Sequence, residues 1–273
     1  MSLFVASLNS GSNGNCYYVG NEHEAVLVDV GISCRETEAR MARLGLSMRK
    51  VKAIFISHEH SDHIRGVAVL AKKYQLPVYI TGQTLFHGGL RLDEGMAIEI
   101  NAGQCVQIGN LLVTPFFKLH DAAHPHSFTI ACGDVKVGVF TDLGAVCENL
   151  VQHFQQCHAA FLEANYDEDM LERGRYPYHL KRRIRGGKGH LSNKQALQLF
   201  MDYRPAYMSH LFLSHLSKDN NDPELVHNLF STHARGTEIV VASRYQESAV
   251  YHINGNRAPA YAPLVSLQTS LFD

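Results

Sequence analysis

The run at residues 51–57 is mostly apolar, with β-branched Val51, Ile54 and Ile56, and the six positions after it hold His58, Glu59, His60, Ser61, Asp62 and His63. A strand of that composition calls for burial in a sheet, while three imidazoles and the Asp62 carboxylate at its exit need a polar partner. The chain must therefore adopt a fold in which a buried strand ends at a loop facing a site. On extended or turning backbone His58 and His60 fall to one side, and Asp62 and His63 turn toward a second position. One loop can then serve two adjacent ions. Nitrogen and oxygen donors of this kind suit zinc, manganese or iron better than calcium or magnesium. The 17 histidines among 273 residues are an excess that such a site would account for in part.

Around this loop the pattern is that of an α/β protein. Short apolar runs at 3–8, 16–19 and 25–30, parted by Gly/Asn-rich turns, predict a strand meander. A helix is expected over 35–44, with Gly45 at its C-cap, then helix 67–74 and strand 78–81. Strands follow at 111–117, 128–132 and 135–140. The last third alternates: helix 146–155, strand 159–163, helix 194–203, strand 206–211, helix 223–232, strand 238–241. Strands followed by helices, twice over, predict two packed sheets with helices outside. No linker divides the chain, so residues 1–253 are read as one catalytic domain and 254–273 as a loosely held tail. With 25 Lys+Arg against 26 Asp+Glu, no global basic field attracts a polyanion, and any such binding must be local. Six scattered cysteines without C-x-x-C spacing read as reduced thiols, and no signal peptide or long apolar run is evident, so a cytoplasmic location and no membrane contact are expected.

His-x-His-x-Asp-His after an apolar strand resembles the signature of the metallo-β-lactamase superfamily. That likeness implies a four-layer αββα sandwich of two packed mixed sheets with helices on the outer faces. It also implies the rest of the ligand set. His120, Asp142 and His215 stand in segments matching the family's later motifs, each just after an expected strand. By this resemblance His58, His60 and His120 would hold one divalent ion, zinc or manganese. Asp62, His63 and His215 would hold a second, with Asp142 between them. Asp29 matches the first motif and would orient the ligand loop without binding metal. His124, His126 and His210 compete by proximity, but they lie off the motif positions and are read as surface or hydrogen-bonded residues.

Across nearly the whole chain the sequence is similar to the YycJ/WalJ group of that superfamily, which implies an exonuclease acting on DNA. The likeness is carried by residues 10–18, 58–66, 161–165, 176–177, 189–193 and 215–221. Two of these stretches also resemble ribonuclease Z. That implies a non-ligand histidine above the metals, His190, supported by Glu163, serving beside Asp62 as a catalytic group that protonates the leaving oxygen. The run 181–188 is the one basic cluster; Lys181 and Arg185 would share a helical face, and with Arg182 and Lys188 they are the expected phosphate contacts. The glycine-rich loop at 11–15 is read as an ordinary turn rather than a phosphate cradle. Finally Gln268, Leu271 and Phe272 resemble the Gln-x-x-Leu-Phe peptide that docks on the bacterial sliding clamp, which implies a link to DNA replication or repair. The alternatives are an RNA-processing nuclease or a small-molecule hydrolase of the same fold, such as a thioesterase, lactonase or phosphodiesterase.

Overall fold

The apolar runs become strands covered on both faces. The computed structural model describes residues 1–255; the clamp-like peptide with Gln268, Leu271 and Phe272 lies outside the described residues. In chain order the first half comprises β1 (Ser2–Asn9), β2 (Cys16–Gly20), β3 (Ala25–Val28), α1 (Cys34–Arg43), β4 (Val51–Phe55), α2 (Ser61–Ile64), α3 (Val67–Tyr74), β5 (Val78–Ile80), α4 (Gly82–His87) and β6 (Ala97–Glu99). The second comprises β7 (Val106–Ile108), β8 (Leu111–Phe117), β9 (His126–Cys132), β10 (Val135–Phe140), α5 (Glu148–Phe154), β11 (Ala159–Glu163), α6 (Glu168–Arg173), α7 (Tyr178–Ile184), α8 (Asn193–Tyr203), β12 (His210–Ser214), α9 (Pro223–Ser231), β13 (Glu238–Val241) and β14 (Tyr251–Asn254).

The strands form two sheets of seven, ordered β14-β1-β2-β3-β4-β5-β6 and β13-β12-β11-β10-β9-β8-β7. Each sheet is antiparallel in one half and parallel in the other: β3 to β6 are parallel in the first, β10 to β13 in the second. Period-two alternation divides each strand between two cores. In β3, Val26 and Val28 join Phe55, Phe128, Val137 and Phe161 between the sheets, while Ala25 and Leu27 turn outward to α1 and α3. On the other sheet Ala160 and Leu162 pack outward against α5 and α8. The result is the expected four-layer αββα sandwich, and burial on both faces explains why these strands read as continuous apolar runs.

Two local differences have physical causes. The strand expected over 206–211 forms instead at β12, because Met208 N bonds back to Pro205 O at 3.0 Å and the turn absorbs the first residues. The short helices α4 and α6 lack an apolar stripe of useful length and are set by their caps, Thr81 and Asp167, whose side chains accept from Thr84 N and Met170 N. β14 pairs with β1 through Asn254, one residue into the segment expected as tail. No helix among the described residues is long and apolar enough to cross a membrane.

Candidate metal centre

Strand direction decides where the polar residues meet. β8 is antiparallel to β9, which is antiparallel to β10, so β8, β10, β11 and β12 run the same way, as do β3 and β4. Asp29, His58, His120, Asp142, Glu163 and His215 each sit at or just beyond the carboxyl end of one of these strands. Asp29, Asp142 and His215 there take left-handed backbone, with φ of 60°, 53° and 57°. Non-glycine residues hold that conformation only when their surroundings compel it, and it collects at functional sites.

The motif loop is fastened from beneath. Asp29 is fully buried; its Oδ1 accepts from Ser57 N at 2.8 Å, and its Oδ2 accepts from Ser57 Oγ at 2.8 Å and from His63 Nδ1 at 2.7 Å. Because a carboxylate only accepts, the Ser57 hydroxyl spends its proton on Asp29, and Ser57 Oγ accepts from His58 Nδ1 at 2.9 Å. One carboxylate thus frees Nε2 of both His58 and His63. His60 is the N-cap residue of α2, which carries Asp62 and His63. Gly31 makes the approach possible: a Cβ there would lie 1.6 Å from Asp62 O.

The seven residues expected as ligands gather in one cluster. His58 Nε2 and His60 Nδ1 are 3.0 Å apart, and His120 Nε2 is 3.4 Å from His60 Nδ1. Asp62 Oδ2 lies 3.6 Å from His63 Nε2 and 3.5 Å from His215 Nε2. Asp142 reaches both groups: Oδ2 is 3.2 Å from His63 Nε2, and Oδ1 is 3.6 Å from His215 Nε2 and 3.9 Å from His120 Nε2. His124, His126 and His210 join none of the metal-competent groups among the described residues. His126 is instead buried in β9, its Nδ1 donating to His124 O at 2.9 Å.

The cluster fits cations. Asp142 Oδ2 and His215 Nε2 are buried and have only ion-pair neighbours, at 3.2 Å and 3.5 Å, with no well-formed hydrogen bond, and such groups are expensive unless something binds them. Burial, with the positive charges of His63 and Lys118 nearby, holds His58 well below the usual imidazole range, and burial takes His120 to about 4, so both offer lone pairs at neutral pH. Burial also pulls on His63, but Asp142, Asp29 and Asp62 outweigh it and hold the imidazole at about 10. Protons there neutralise carboxylates that a divalent ion would neutralise instead. Imidazole and carboxylate donors are those of zinc and manganese sites.

On the open side of the cluster stands His190. Its Nδ1 donates to Glu163 Oε1 at 2.7 Å, and its ring stacks over His215 at 5.3 Å between centroids. Glu163 is fully buried; Oε2 accepts from Leu143 N at 2.7 Å and Leu191 N at 3.1 Å, and Oε1 lies 3.2 Å from His215 Nδ1. Burial would raise this carboxyl, but His190 and His215 outweigh it and hold it at about 2.

The basic run divides differently from its expected face. Lys181 donates to Glu172 O, and Arg185 pairs with the Glu172 carboxylate at 2.6 Å, so this face of α7 is tied to α6. Arg182 and Lys188 are exposed, and neither is among the residues lining the cavity beside His190. Within the run Arg183 bonds toward the cluster: it pairs with Asp121 Oδ2 at 2.6 Å, and Asp121 Oδ1 lies 3.4 Å from His120 Nε2. Arg183, Tyr176, Ser12 and His190 line a cavity of about 200 Å³ at the mouth. Sequence reasoning also passed over Asn15, whose Nδ2 donates to Asp62 Oδ2 at 3.2 Å, and Asn165, whose Nδ2 lies 3.1 Å from His215 Nδ1. Both asparagines stand inside stretches that carried the group resemblance, which was the available signal.

Comparison with known proteins agrees with this geometry. The family model described as beta-lactamase superfamily domain matches residues 24–215. The exodeoxyribonuclease YycJ of Bacillus anthracis is 37 % identical over 230 residues, covering 82 % of this chain and 86 % of the relative. The exodeoxyribonuclease WalJ of Streptococcus pneumoniae is 32 % identical over 225 residues, covering 81 % and 84 %. Among solved structures, the metallo-beta-lactamase fold protein YhfI of Bacillus subtilis superposes with a TM-score of 0.72 at 16 % identity, over 92 % of this chain and 100 % of that one.

Proposed function

This chain belongs to the beta-lactamase superfamily of metal-dependent hydrolases, and we propose that it is a two-metal nuclease that cleaves phosphodiester bonds of DNA. The observation that carries the reading is the His190–Glu163 pair poised over the metal cluster with its outer ring edge open. Support for DNA comes from the relatives named exodeoxyribonucleases.

His58, His60 and His120 would hold one ion, Asp62, His63 and His215 the other, and Asp142 both. When bound, zinc or manganese ions supply Lewis acidity, making water nucleophilic at neutral pH and neutralising charge on the phosphate. Asp62 and Asp142 accept from the attacking water and fix its direction. Expulsion of the sugar oxygen needs a proton, and His190 is the group to give it from Nε2, because Glu163 holds Nδ1 at 2.7 Å and turns the other nitrogen outward. Glu163 stays anchored by two backbone N–H groups, so the donor is oriented before substrate arrives. Arg183 and Tyr176 at the mouth are placed to meet the phosphate backbone; Lys181 and Arg185, tied to Glu172, take a secondary part.

The test is a zinc- or manganese-supplemented assay on labelled single- and double-stranded DNA, RNA and a generic phosphodiester. His190→Ala should keep its metal and lose about 10²–10⁴-fold in turnover, whereas His60→Ala should lose both metal and activity. Hydrolysis of the small diester with none of the nucleic acids would refute the nuclease reading. Recruitment to replicating DNA rests on the tail sequence alone, and clamp binding that survives Leu271→Ala with Phe272→Ala would dismiss it.

A further inference from the structure

The segment following His215 separates two cavities. One is the mouth beside His190; the other, about 220 Å³, lies beyond it, and the two share Leu216 and Ser217 in their walls. Three segments distant in the chain build the second cavity: Ser10, the stretch 216–223 and residues 241–245. Its floor is fixed to the metal cluster, because Ser10 Oγ accepts from His215 N at 2.8 Å.

Its charge is positive and uncommitted. Arg244 has no carboxylate within ion-pair distance among the described residues; Nη2 donates to Ser12 Oγ at 3.1 Å, and Nη1 makes no hydrogen bond. Lys218, on the same wall, is exposed and likewise has no acidic partner among the described residues. By contrast Lys181, Arg183 and Arg185 are each held by an acceptor. The cavity also has an apolar side, with Leu216, Val241 and Ala242, and Tyr245 at its rim is 71 % exposed. That exposure is built in, since the loop beneath the ring is pinned: Tyr245 O accepts from Arg40 Nη2 at 3.2 Å, Tyr245 N donates to Ser243 Oγ at 3.0 Å, and Glu247 pairs with Arg43 at 2.6 Å. An exposed aromatic on a pinned backbone beside unpaired cations is the combination that binds single-stranded nucleic acid, the ring taking a base face and the cations the phosphates.

We infer that this second cavity is a subsite for the nucleotide unit next to the scissile phosphate, with Arg244 and Lys218 on its phosphate and Tyr245 against its base. The inference rests on the nuclease reading. At about 220 Å³ the space falls below the ~300–1,000 Å³ of a drug-sized pocket, so it admits one ring system rather than an extended strand. Contacts to phosphate and to a π-face carry no base code, so binding here tolerates any sequence.

The experiment is steady-state cleavage of a labelled 12-nucleotide single strand, in parallel with bis(p-nitrophenyl) phosphate, by metal-loaded wild type, Tyr245→Ala, Tyr245→Phe, Arg244→Ala and Arg244→Lys. Tyr245→Ala and Arg244→Ala should each raise KM for the oligonucleotide about fivefold or more, with kcat little changed. Tyr245→Phe, which keeps the face, and Arg244→Lys, which keeps the charge, should recover most of it. Metal content of each variant separates loss of the subsite from a disturbed loop, and Tyr245→Ala, which removes no side-chain hydrogen bond, holds the test even where Arg244→Ala fails to fold. Wild-type KM in both alanine variants, with DNA still cleaved, overturns the subsite and leaves the nuclease reading standing. A wild type that hydrolyses the small diester but no DNA overturns both.

Discussion

Asp29→Asn should weaken both of the proposed metal sites at once, although Asp29 reaches neither. Its carboxylate accepts from His63 Nδ1 directly at 2.7 Å and, through Ser57 Oγ, sets the proton of His58 Nδ1. In the proposed ligand set His58 and His63 would serve different ions, although both also stand in one close group with Asp142. Asparagine has the same shape but one acceptor oxygen. With that oxygen satisfying Ser57 N, as Oδ1 does now at 2.8 Å, the amide nitrogen faces His63 Nδ1 and Ser57 Oγ and donates to them. Both imidazoles are then driven toward the tautomer with the proton on Nε2, where the ion must bind. Loss of such an orienting partner lowers metal affinity about 10- to 100-fold, or about 1.4 to 2.7 kcal/mol per site. Competition between chelator-stripped protein and a chromophoric indicator for zinc or manganese measures both sites, with circular dichroism as the check on fold. Ser57→Ala provides the dissection: it cuts the relay to His58 and removes only a 3.4 Å contact from His63 Nδ1, which keeps its 2.7 Å bond to Asp29, so one site should weaken more than the other. An Asp29→Asn protein that binds both ions within twofold of wild type would refute the tautomer argument, and one that loses a single site would refute the relay through Ser57.

Gly31→Ala puts a methyl group into Asp62 O and Asn15 N, both backbone; α2 must shift, so a loss of at least the ~1–3 kcal/mol of an overpacked core is expected in denaturant titration, together with weaker metal binding. Gly187→Ala, whose Cβ would meet nothing within 4 Å, should stay within about 0.5 kcal/mol of wild type. Burial pushes His126 down to about 4, so between pH ~6.5 and that value the unfolded chain takes up a proton that the folded protein refuses. Its contribution is whole above ~6.5 and drains away as pH falls toward 4, on the order of 3 kcal/mol in all. His126→Phe should therefore lose less stability than wild type over that interval in urea melts at stepped pH; parallel curves would show that His126 titrates normally.

What the sequence disclosed and what it hid separate along a physical line. Continuous apolar runs mark strands covered on both faces, so the sandwich could be read from residues such as 25–28 and 159–163, and strand ends told where polar residues would gather. Helix phase could not be read in the same way. Lys181 and Arg185 do share a face of α7, but packing turns that face to Glu172 and leaves Arg183 at the mouth. In a solvated basic helix every face looks alike until a neighbour covers one. The second cavity was further from view, since Ser10, Lys218 and Arg244 are unremarkable each in its own context and meet only where the ends of β1, from one sheet, and of β12 and β13, from the other, come together.

The same contrast bears on how the site is held. A ligand cluster whose buried carboxylates repel one another must be imposed by the rest of the fold, and the imposing contacts lie in the backbone. Asp29, Asp142 and His215 are held in left-handed conformation, at about 1–3 kcal/mol each. Each is tied down by a bond that the strand end supplies: Asp29 N to Phe55 O at 2.9 Å, Leu143 N beside Asp142 to Glu163 Oε2 at 2.7 Å, and His215 N to Ser10 Oγ at 2.8 Å. Two of those three tethers are the side chains of Glu163 and Ser10. Glu163 also orients the proposed proton donor, and Ser10 also floors the proposed nucleotide subsite. Substitution at either therefore reaches metal binding and substrate handling together, whereas Tyr245, Arg244 and His190, which tether nothing in the ligand backbone, are the positions where the two can be measured apart.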